Sequence, residues 1–519
     1  MINFMTAIIS IIPILLLFIL MLGFKMAGHK SAFLTLIVTI ALAAIVAPAM
    51  QFTPEGFNTI GVGWAFVEGM LKAVFPILII ILMAIFSYNV LVESKEIEVI
   101  KAQFTSLSDD DGITVLMLVW GFGGLLEGMA GFGTAVAIPA AILISLGYKP
   151  MFSALVALIA NTVATGFGAV GVPVITLCNE IAATGSADPA LISEVASKCI
   201  LQLSLLFFIL PFIILTITNH SKGAIVKIIF LSILVGGISV IVQYFVAHFL
   251  GAETPAIIGS IAAIIAILIY AKLFTRKKET ADKPSFTISQ SLRAWSVYGF
   301  ILVFILLSGP LFPDINAFLK THLVTKIALP IYPDGKFFSF AWIGNGGLML
   351  FLGTIAGGLT QRLSLRRLFV ILAKTTVNLK KTMITIISLV AMASVMSYSG
   401  MIVEIAKGLV LITGDYYPLV APLIGAIGTF VTGSDTSSNI LFAKLQANVA
   451  HQLGYADPNW LVAANTTGAT GGKMISPQSI AIATASCDMQ GKDGEILKSA
   501  IPYALLYIVV GGLMVYFAA

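Results

Sequence analysis

The chain has 519 residues, of which 59% are hydrophobic and 10% charged, against roughly 45–50% and about 25% in a soluble globular protein. That balance excludes a soluble domain and gives a polytopic membrane protein. The net charge of +5 is no sign of a nucleic-acid partner, because the Lys and Arg sit in short loops between apolar runs, where positive-inside bias accounts for them. Cys178, Cys199 and Cys487 supply no disulfide framework, although the first two fall near one membrane face. The N-terminus lacks the basic segment of a cleaved signal, so the first apolar run reads as a retained span.

A helical crossing takes about 20 apolar residues. On that rule spans are predicted near 5–23, 31–50 and 65–92. The third is long, and the i,i+4 pair Glu68 and Lys72 suggests that it begins as an interfacial helix. A polar loop, 93–111, precedes a glycine-broken hairpin at 113–147. A broken span at 152–178, a span at 195–218, and two plainer spans at 223–250 and 254–274 follow, ending in a basic loop at Arg276, Lys277 and Lys278. The second half begins with a span at 292–309, a long polar loop and a span at 338–358. An amphipathic, basic stretch at 365–380 reads as interfacial. A span at 382–403, a second hairpin at 417–452, a broken span at 460–486 and a last span at 496–517 complete the chain.

The expected fold is therefore all-α, with about 12 transmembrane helices and two re-entrant hairpins. Residues 1–218 form a first repeat, 219–290 two linking helices with the basic loop, and 291–519 a second repeat. Lys25, Lys30, Lys95, Lys101, Lys149, Lys222, Arg276–Lys278, Arg362, Arg366, Arg367 and Lys492 fall on one side, which positive-inside bias makes cytoplasmic. Glu55, Glu180, Asp188, Glu194, Glu253 and Asp415 fall on the other, with both termini. The two repeats start seven crossings apart and so face opposite ways. An inverted-topology repeat around a midplane site is a device of secondary carriers.

The interrupted segments come in pairs. Glu127 lies among Gly123, Gly124, Gly128, Gly131 and Gly133, and 308 residues later Asp435 lies in Gly433–Asn439. Asn161-Thr162 precedes Pro173 as Asn465-Thr466 precedes Pro477, with 12 residues from Asn to Pro in both. Leu71-Lys72 likewise stands opposite Leu379-Lys380. Glycine clusters destabilise helices, and non-helical backbone survives at membrane depth only where protein or a water-filled cavity satisfies it. The breaks are expected at Asn161 and within the Gly-Gly-Lys turn that ends at Lys473, facing a polar cavity.

Several side chains there could carry chemistry. Half-helix N-termini at Gly131, Gly133 and Thr134, and at Ser434, Thr436, Ser437, Ser438 and Asn439, would present N–H groups and a positive dipole end to an anion; the alternative is that small residues merely allow close packing. A carboxylate at membrane depth is costly and functional by default. Glu127 is thus the expected carrier of a coupling proton, with Asp435 its counterpart, unless these groups cap the hairpin tips. Lys473 is either the cation for a substrate carboxylate, the ion partner of Asp435 or Glu127, or a snorkelling lysine. Asn161, Thr162, Asn465 and Thr466 either satisfy unwound backbone or touch substrate. No metal-ligand spacing, nucleotide motif or nucleophile elbow has a supporting context, so neither cofactor nor metal is expected.

At these motifs the sequence resembles the bacterial L-lactate permease family. The segments that carry the resemblance are EGMAGFGTAVAIPAA (Glu127–Ala141), IANTVATGFGAVGVP (Ile159–Pro173), TGSDTSSNILF (Thr432–Phe442) and AANTTGATGGKMISPQSIAIA (Ala463–Ala483), the last of which adds Gln478 to the site. The resemblance implies an inner-membrane protein that moves L-lactate, glycolate and related 2-hydroxymonocarboxylates with protons. Ala135 and Val163-Ala164 depart from the family pattern beside the expected site. A remoter similarity of plan to divalent-anion:sodium symporters implies a homodimer. The rival readings are a sodium-coupled carboxylate symporter, an anion channel, which the inverted repeat disfavours, and a membrane enzyme, for which no nucleophile or metal cluster is found.

Overall fold

The computed structural model describes residues 4–24, 26–51, 53–54, 56–108, 110–131, 133–182, 187–219, 224–274, 286–308, 312–332, 337–455 and 457–518. Lys25, Glu55, Lys222 and the basic triplet Arg276–Lys278 lie outside these residues. The chain begins with α1 (Phe4–Phe18), α2 (Gly28–Ala41) and the short α3 (Ala47–Ala49). The predicted third span is two helices, α4 (Thr59–Lys72) and α5 (Ile79–Glu93). Between them the chain leaves helical geometry at Phe75 (φ −122°, ψ 104°), one residue before Pro76, as expected where proline disfavours the α region for its predecessor. An internal break thus divides the predicted span into two helices.

The predicted polar loop 93–111 holds a helix, α6 (Glu96–Leu107). Glu96 and Glu98 occupy its first turn, where carboxylates favour the helix dipole. The first hairpin ascends through α7 (Asp111–Leu116), a wide π-helical turn and α8 (Gly123–Ala130), and descends as α9 (Thr134–Ser145). α10 (Pro150–Thr165) and α11 (Gly168–Ile181) form a pair bent by 48°. α12 (Pro189–Thr218), α13 (Ile225–Leu250), α14 (Pro255–Phe274) and α15 (Ile288–Ser308) are long and apolar.

The long loop of the second half is structured in part. It contains α16 (Pro313–Thr321) and an antiparallel pair, β1 (Val324–Ile327) and β2 (Phe338–Ala341), with Val324 opposite Ala341. After α17 (Gly346–Thr360), α18 (Leu365–Asn378) and the following helix α19 (Lys380–Tyr398) bend by 60°. α20 (Met401–Thr413) comes next; it follows α19 as α6 follows α5, so the helix hidden in the polar loop has a partner in the second half. The second hairpin is α21 (Tyr417–Thr432) and α22 (Asp435–Gln452), the second broken pair α23 (Pro458–Ile475) and α24 (Pro477–Ser486), and α25 (Asp493–Phe517) ends the chain.

The protein is an all-α, multi-pass membrane protein. Among the described residues eight helices are long and apolar enough to cross a membrane, or ten if each bent pair is one crossing; Met5–Phe18, Thr134–Ser145 and Gly346–Thr360 are apolar but shorter. The twelve crossings predicted from hydropathy therefore include segments that are short or broken. The three cysteines are buried and free.

Glycine lets α21 and α23 meet backbone to backbone. A side chain at Gly468 of α23 would collide with the Pro422 carbonyl of α21, and one at Gly425 with the Asn465 carbonyl. On the face rich in Lys and Arg, Arg293 Nε donates to Glu96 Oε1 at 2.6 Å and Ser94 Oγ to Gln361 Oε1 at 2.8 Å, while Arg367 pairs with Glu93. Gly468→Ala must force α21 and α23 apart, because backbone cannot yield as a flexible side chain can. Overpacking of this kind costs about 1–3 kcal/mol, so a lowered unfolding midpoint of the purified protein in detergent is the expected result.

Candidate functional site

Four interruptions of the helical backbone meet at one place. They are the two hairpin tips, at Gly131–Gly133 and Gly433-Ser434, and the two bends, at Gly166-Phe167 and Ser476. Each tip turns on residues with positive φ, 59° and 91° at Gly131 and Gly133 and 71° at Gly433, which glycine adopts without steric cost. The bends do not fall where Asn and Thr predicted them. α10 runs helically through Asn161-Thr162 and α23 through Asn465-Thr466 and Lys473. Buried threonines return their hydroxyls to their own helix, Thr162 Oγ1 to Ile159 O at 2.8 Å and Thr165 Oγ1 to Thr162 O at 2.7 Å, so they do not unwind it. The first helix breaks at Phe167 (φ −112°, ψ 18°), between Gly166 and Gly168, and the second at Ser476, before Pro477. Beyond the first bend, Ala169 (φ 46°), Val170 (φ 59°) and Gly171 (φ 76°) form a left-handed track, an uncommon conformation for a β-branched residue.

Around these breaks lies a cavity of ≈ 250 Å³. Its wall contains Glu127 and Gly131 from the first tip, Ser434, Asp435, Thr436 and Ser437 from the second, and Lys473 and Gln478 from either side of the Ser476 bend. Lys72, Thr165 and Thr432 also line it. The other predicted residues stand behind the wall. Gly133 backs onto Ile482, and Thr134 Oγ1 donates to Gly131 O at 3.0 Å, closing the tip. Ser438 Oγ donates to Gly425 O at 2.7 Å. Asn439 Nδ2 donates to Pro173 O at 2.9 Å and to Thr466 Oγ1 at 3.0 Å, and Asn465 Nδ2 donates to Asn439 Oδ1 at 2.9 Å. This network fastens the second hairpin to α23 and α11; it gives Asn465 and Thr466 tertiary partners, where unwound backbone had been expected.

The charged groups of the cavity are unevenly supplied with partners. Glu127 is on the last turn of α8, the end where a helix dipole is negative, and Asp435 on the first turn of α22, where it is positive. Lys473 Nζ donates to Gly433 O at 3.0 Å and lies close enough to both carboxylates to act on each electrostatically. Thr165 and Thr429 lie against Asp435 and Asn161 against Glu127. Even so, Glu127 Oε2, both carboxylate oxygens of Asp435, both amide atoms of Asn161 and Gln478 Oε1 are buried without a well-formed hydrogen bond. Buried polar atoms are ordinarily paired, and each exception calls for a reason. Other such atoms are scattered through the described residues, among them Ser10 Oγ, Gln243 Oε1 and Tyr298 Oη, but those at this cavity include two carboxylates beside each other, as they would in a site that accepts a small polar ligand or a proton.

Lys72 is the residue that sequence reasoning missed. Its matched partner, Lys380, at the start of α19, is not among the cavity residues, so the register pairing does not carry a shared role. The signal was Pro76: a lysine one turn before a proline, inside an apolar run, marks a helix end at membrane depth.

A sequence profile described as L-lactate permease matches residues 6–519. The chain belongs to the L-lactate permease family. An L-lactate permease of Streptococcus iniae is 39% identical over 88% of this chain and 93% of its own length. The glycolate permease GlcA of Escherichia coli K12 is 33% identical, covering 98% and 95%, and the L-lactate permease of the same strain 30% identical, covering 98% and 95%. Among solved structures, the YdaH transporter of Alcanivorax borkumensis aligns with 94% of this chain and 98% of that chain at a TM-score of 0.38 and 14% identity, too loose a likeness to carry an argument about the site.

In this permease Asn439 is the hub of the network behind the cavity. Asn439→Ala removes the ties to the Pro173 carbonyl and to Thr466 Oγ1, and leaves Asn465 Nδ2 with only Ser438 O at 3.3 Å. Unsatisfied buried groups cost about 1–3 kcal/mol each, so thermal unfolding in detergent is expected to fall further than with Ser437→Ala, whose side chain faces the cavity.

Proposed function

We propose that this permease carries L-lactate and related 2-hydroxymonocarboxylates such as glycolate into the cell, across the inner membrane, together with protons. Relatives over nearly the whole chain are named lactate and glycolate permeases, and the observation that carries the coupling is the charge pattern of the cavity. Its wall holds two lysines, Lys72 and Lys473, and two carboxylates, Glu127 and Asp435. With Glu68 paired to Lys72 behind the wall, the set has no positive charge to spare when all four are charged. An entering monocarboxylate adds one negative charge, and burying an uncompensated charge is costly. One proton on a wall carboxylate restores the balance, so anion and proton enter as a neutral sum.

Glu127 is the better proton carrier of the two carboxylates. It sits at the dipole end that opposes a negative charge. Asp435 sits at the end that favours an anion. The N-terminal turn of α22, with the hydroxyls of Thr436 and Ser437, is placed to hold substrate oxygens. In this reading residues 1–218 and 291–519 act as two inverted repeats, each gating one side of the cavity.

The test is uptake of labelled L-lactate into proteoliposomes with an inward proton gradient and no sodium. Wild-type protein is expected to accumulate lactate, to lose accumulation with a protonophore, and to be indifferent to an imposed membrane potential, as one proton per anion requires. Glu127→Gln is expected to exchange lactate across the membrane without accumulating it. Wild-type protein that stays idle until sodium is added would overturn proton coupling.

A further inference from the structure

We propose that Lys72 is the cation that receives the substrate carboxylate, and that Glu68 occupies it until substrate arrives. This rests on the reading of the cavity as a carboxylate carrier's site. The two lysines of the wall are not equivalent. Lys473 is 8% exposed, donates to the carbonyl at the second hairpin tip, and has Glu127 and Asp435 beside it. Its charge is committed to neutralising groups of the protein itself. The Lys72 side chain is 48% exposed, with Nζ 2.6 Å from Oε1 of Glu68, one turn earlier on α4. Glu68 is outside the cavity wall, so this ion pair joins a cavity cation to a carboxylate that stands next to the cavity.

A carboxylate on Lys72 shows which functional group that ammonium accepts. A lactate carboxylate presents the same oxygens and charge, so it can replace Glu68 without leaving Lys72 unpaired at any stage. Glu68 is not abandoned either. Tyr332 Oη donates to the same Oε1 at 2.7 Å, and that bond survives when Lys72 leaves.

The position of the pair is fixed from outside the helix core. Leu329, Phe338 and Phe340 of the β1–β2 cap form a small apolar cluster against α4 and the break that follows it. The Phe75 ring, at the break itself, lies 4.8 Å from Phe340 and 5.5 Å from Trp342, centroid to centroid. The cap thus holds the end of α4 in place and delivers the Tyr332 hydroxyl to Glu68. A simple exposed i,i+4 pair contributes little to stability and needs no third residue. Glu68 and Tyr332 are positioning residues; Lys72 is the contact.

The experiment measures the KM and Vmax of labelled L-lactate exchange in proteoliposomes for wild type, Lys72→Gln, Lys72→Arg, Glu68→Gln and Tyr332→Phe. Lys72→Gln is expected to raise KM by roughly tenfold or more with Vmax changed far less, because it removes a charge-assisted contact to the anion, and Lys72→Arg to recover most of the loss. Glu68→Gln is expected to lower KM, since the competing carboxylate is gone, and Tyr332→Phe to shift KM without changing the protons carried per lactate. If Lys72→Gln cannot be purified, the direction of the Glu68→Gln shift decides alone. A KM for Lys72→Gln within about twofold of wild type, or Lys72→Gln and Glu68→Gln both raising KM as loss of a purely structural ion pair would, overturns the proposal. Wild-type protein that exchanges no lactate at all would instead overturn the substrate reading.

Discussion

A helix that stops inside a membrane leaves backbone groups which no water in the hydrocarbon can satisfy. This permease has four such stops in one place, and much of its architecture answers that problem. Ser434 and Ser476 cap the helices that begin there, their hydroxyls accepting from Ser437 N at 3.3 Å and Ser479 N at 3.2 Å. Thr134 closes one tip, and Lys473 ties the other to α23. Contacts of glycine against backbone, at Gly425 and Gly468, bring the second hairpin near enough to α23 for these bonds to form. At the cavity, side-chain atoms of Glu127, Asn161, Asp435 and Gln478 are left without a well-formed hydrogen bond. A cavity with unpaired side chains in its wall is prepared for a guest.

The two halves of the chain match in register but not in electrostatics. Glu127 closes a helix and Asp435 opens one, so carboxylates 308 residues apart sit in opposite helix-dipole fields. Lys72 and Lys380 diverge further, since Lys72 lines the cavity and Lys380 does not. Positions matched in sequence thus stand in unlike electrostatic surroundings.

The membrane class, the hairpins and the place where polar residues gather could all be read from the sequence, because glycine, proline and isolated charges in apolar runs have few uses. Glu127, Asp435 and Lys473, singled out by this logic, share the cavity wall with Gln478, which the family resemblance added. Finer features were hidden for physical reasons. Asn161 and Asn465 looked like helix breakers, yet buried side chains with tertiary partners or backbone-returning neighbours leave a helix intact. α6 looked like a loop because its charges are answered by Arg293 and by helix dipole, partners that composition does not show. Gly133, Thr134, Ser438 and Asn439 lie close to the cavity in sequence but turn their side chains or faces away, since a tip this tight must spend some of its residues on itself. The cap around β1 and β2 has too few apolar residues to register in a hydropathy reading and acquires its core only by leaning on α4.

The left-handed track Ala169–Val170–Gly171 has a consequence for energetics. Residues in sparsely populated backbone conformations each cost of order 1–3 kcal/mol and persist only when their surroundings enforce them. Here the enforcement comes from the neighbours of the track: Ala169 lies against Gly131, and Gly171 passes the Ala252 carbonyl with no room for a side chain. The first turn of α11 is therefore a wound spring at the edge of the cavity. Summed over Ala169 and Val170 the cost is about 2–6 kcal/mol, at least as large as the ~1–3 kcal/mol by which ligands typically bias one conformation over another. Parting the first tip from this turn by even a small distance would let the spring unwind, so the site carries within its own backbone a reserve of the size that a change of state requires.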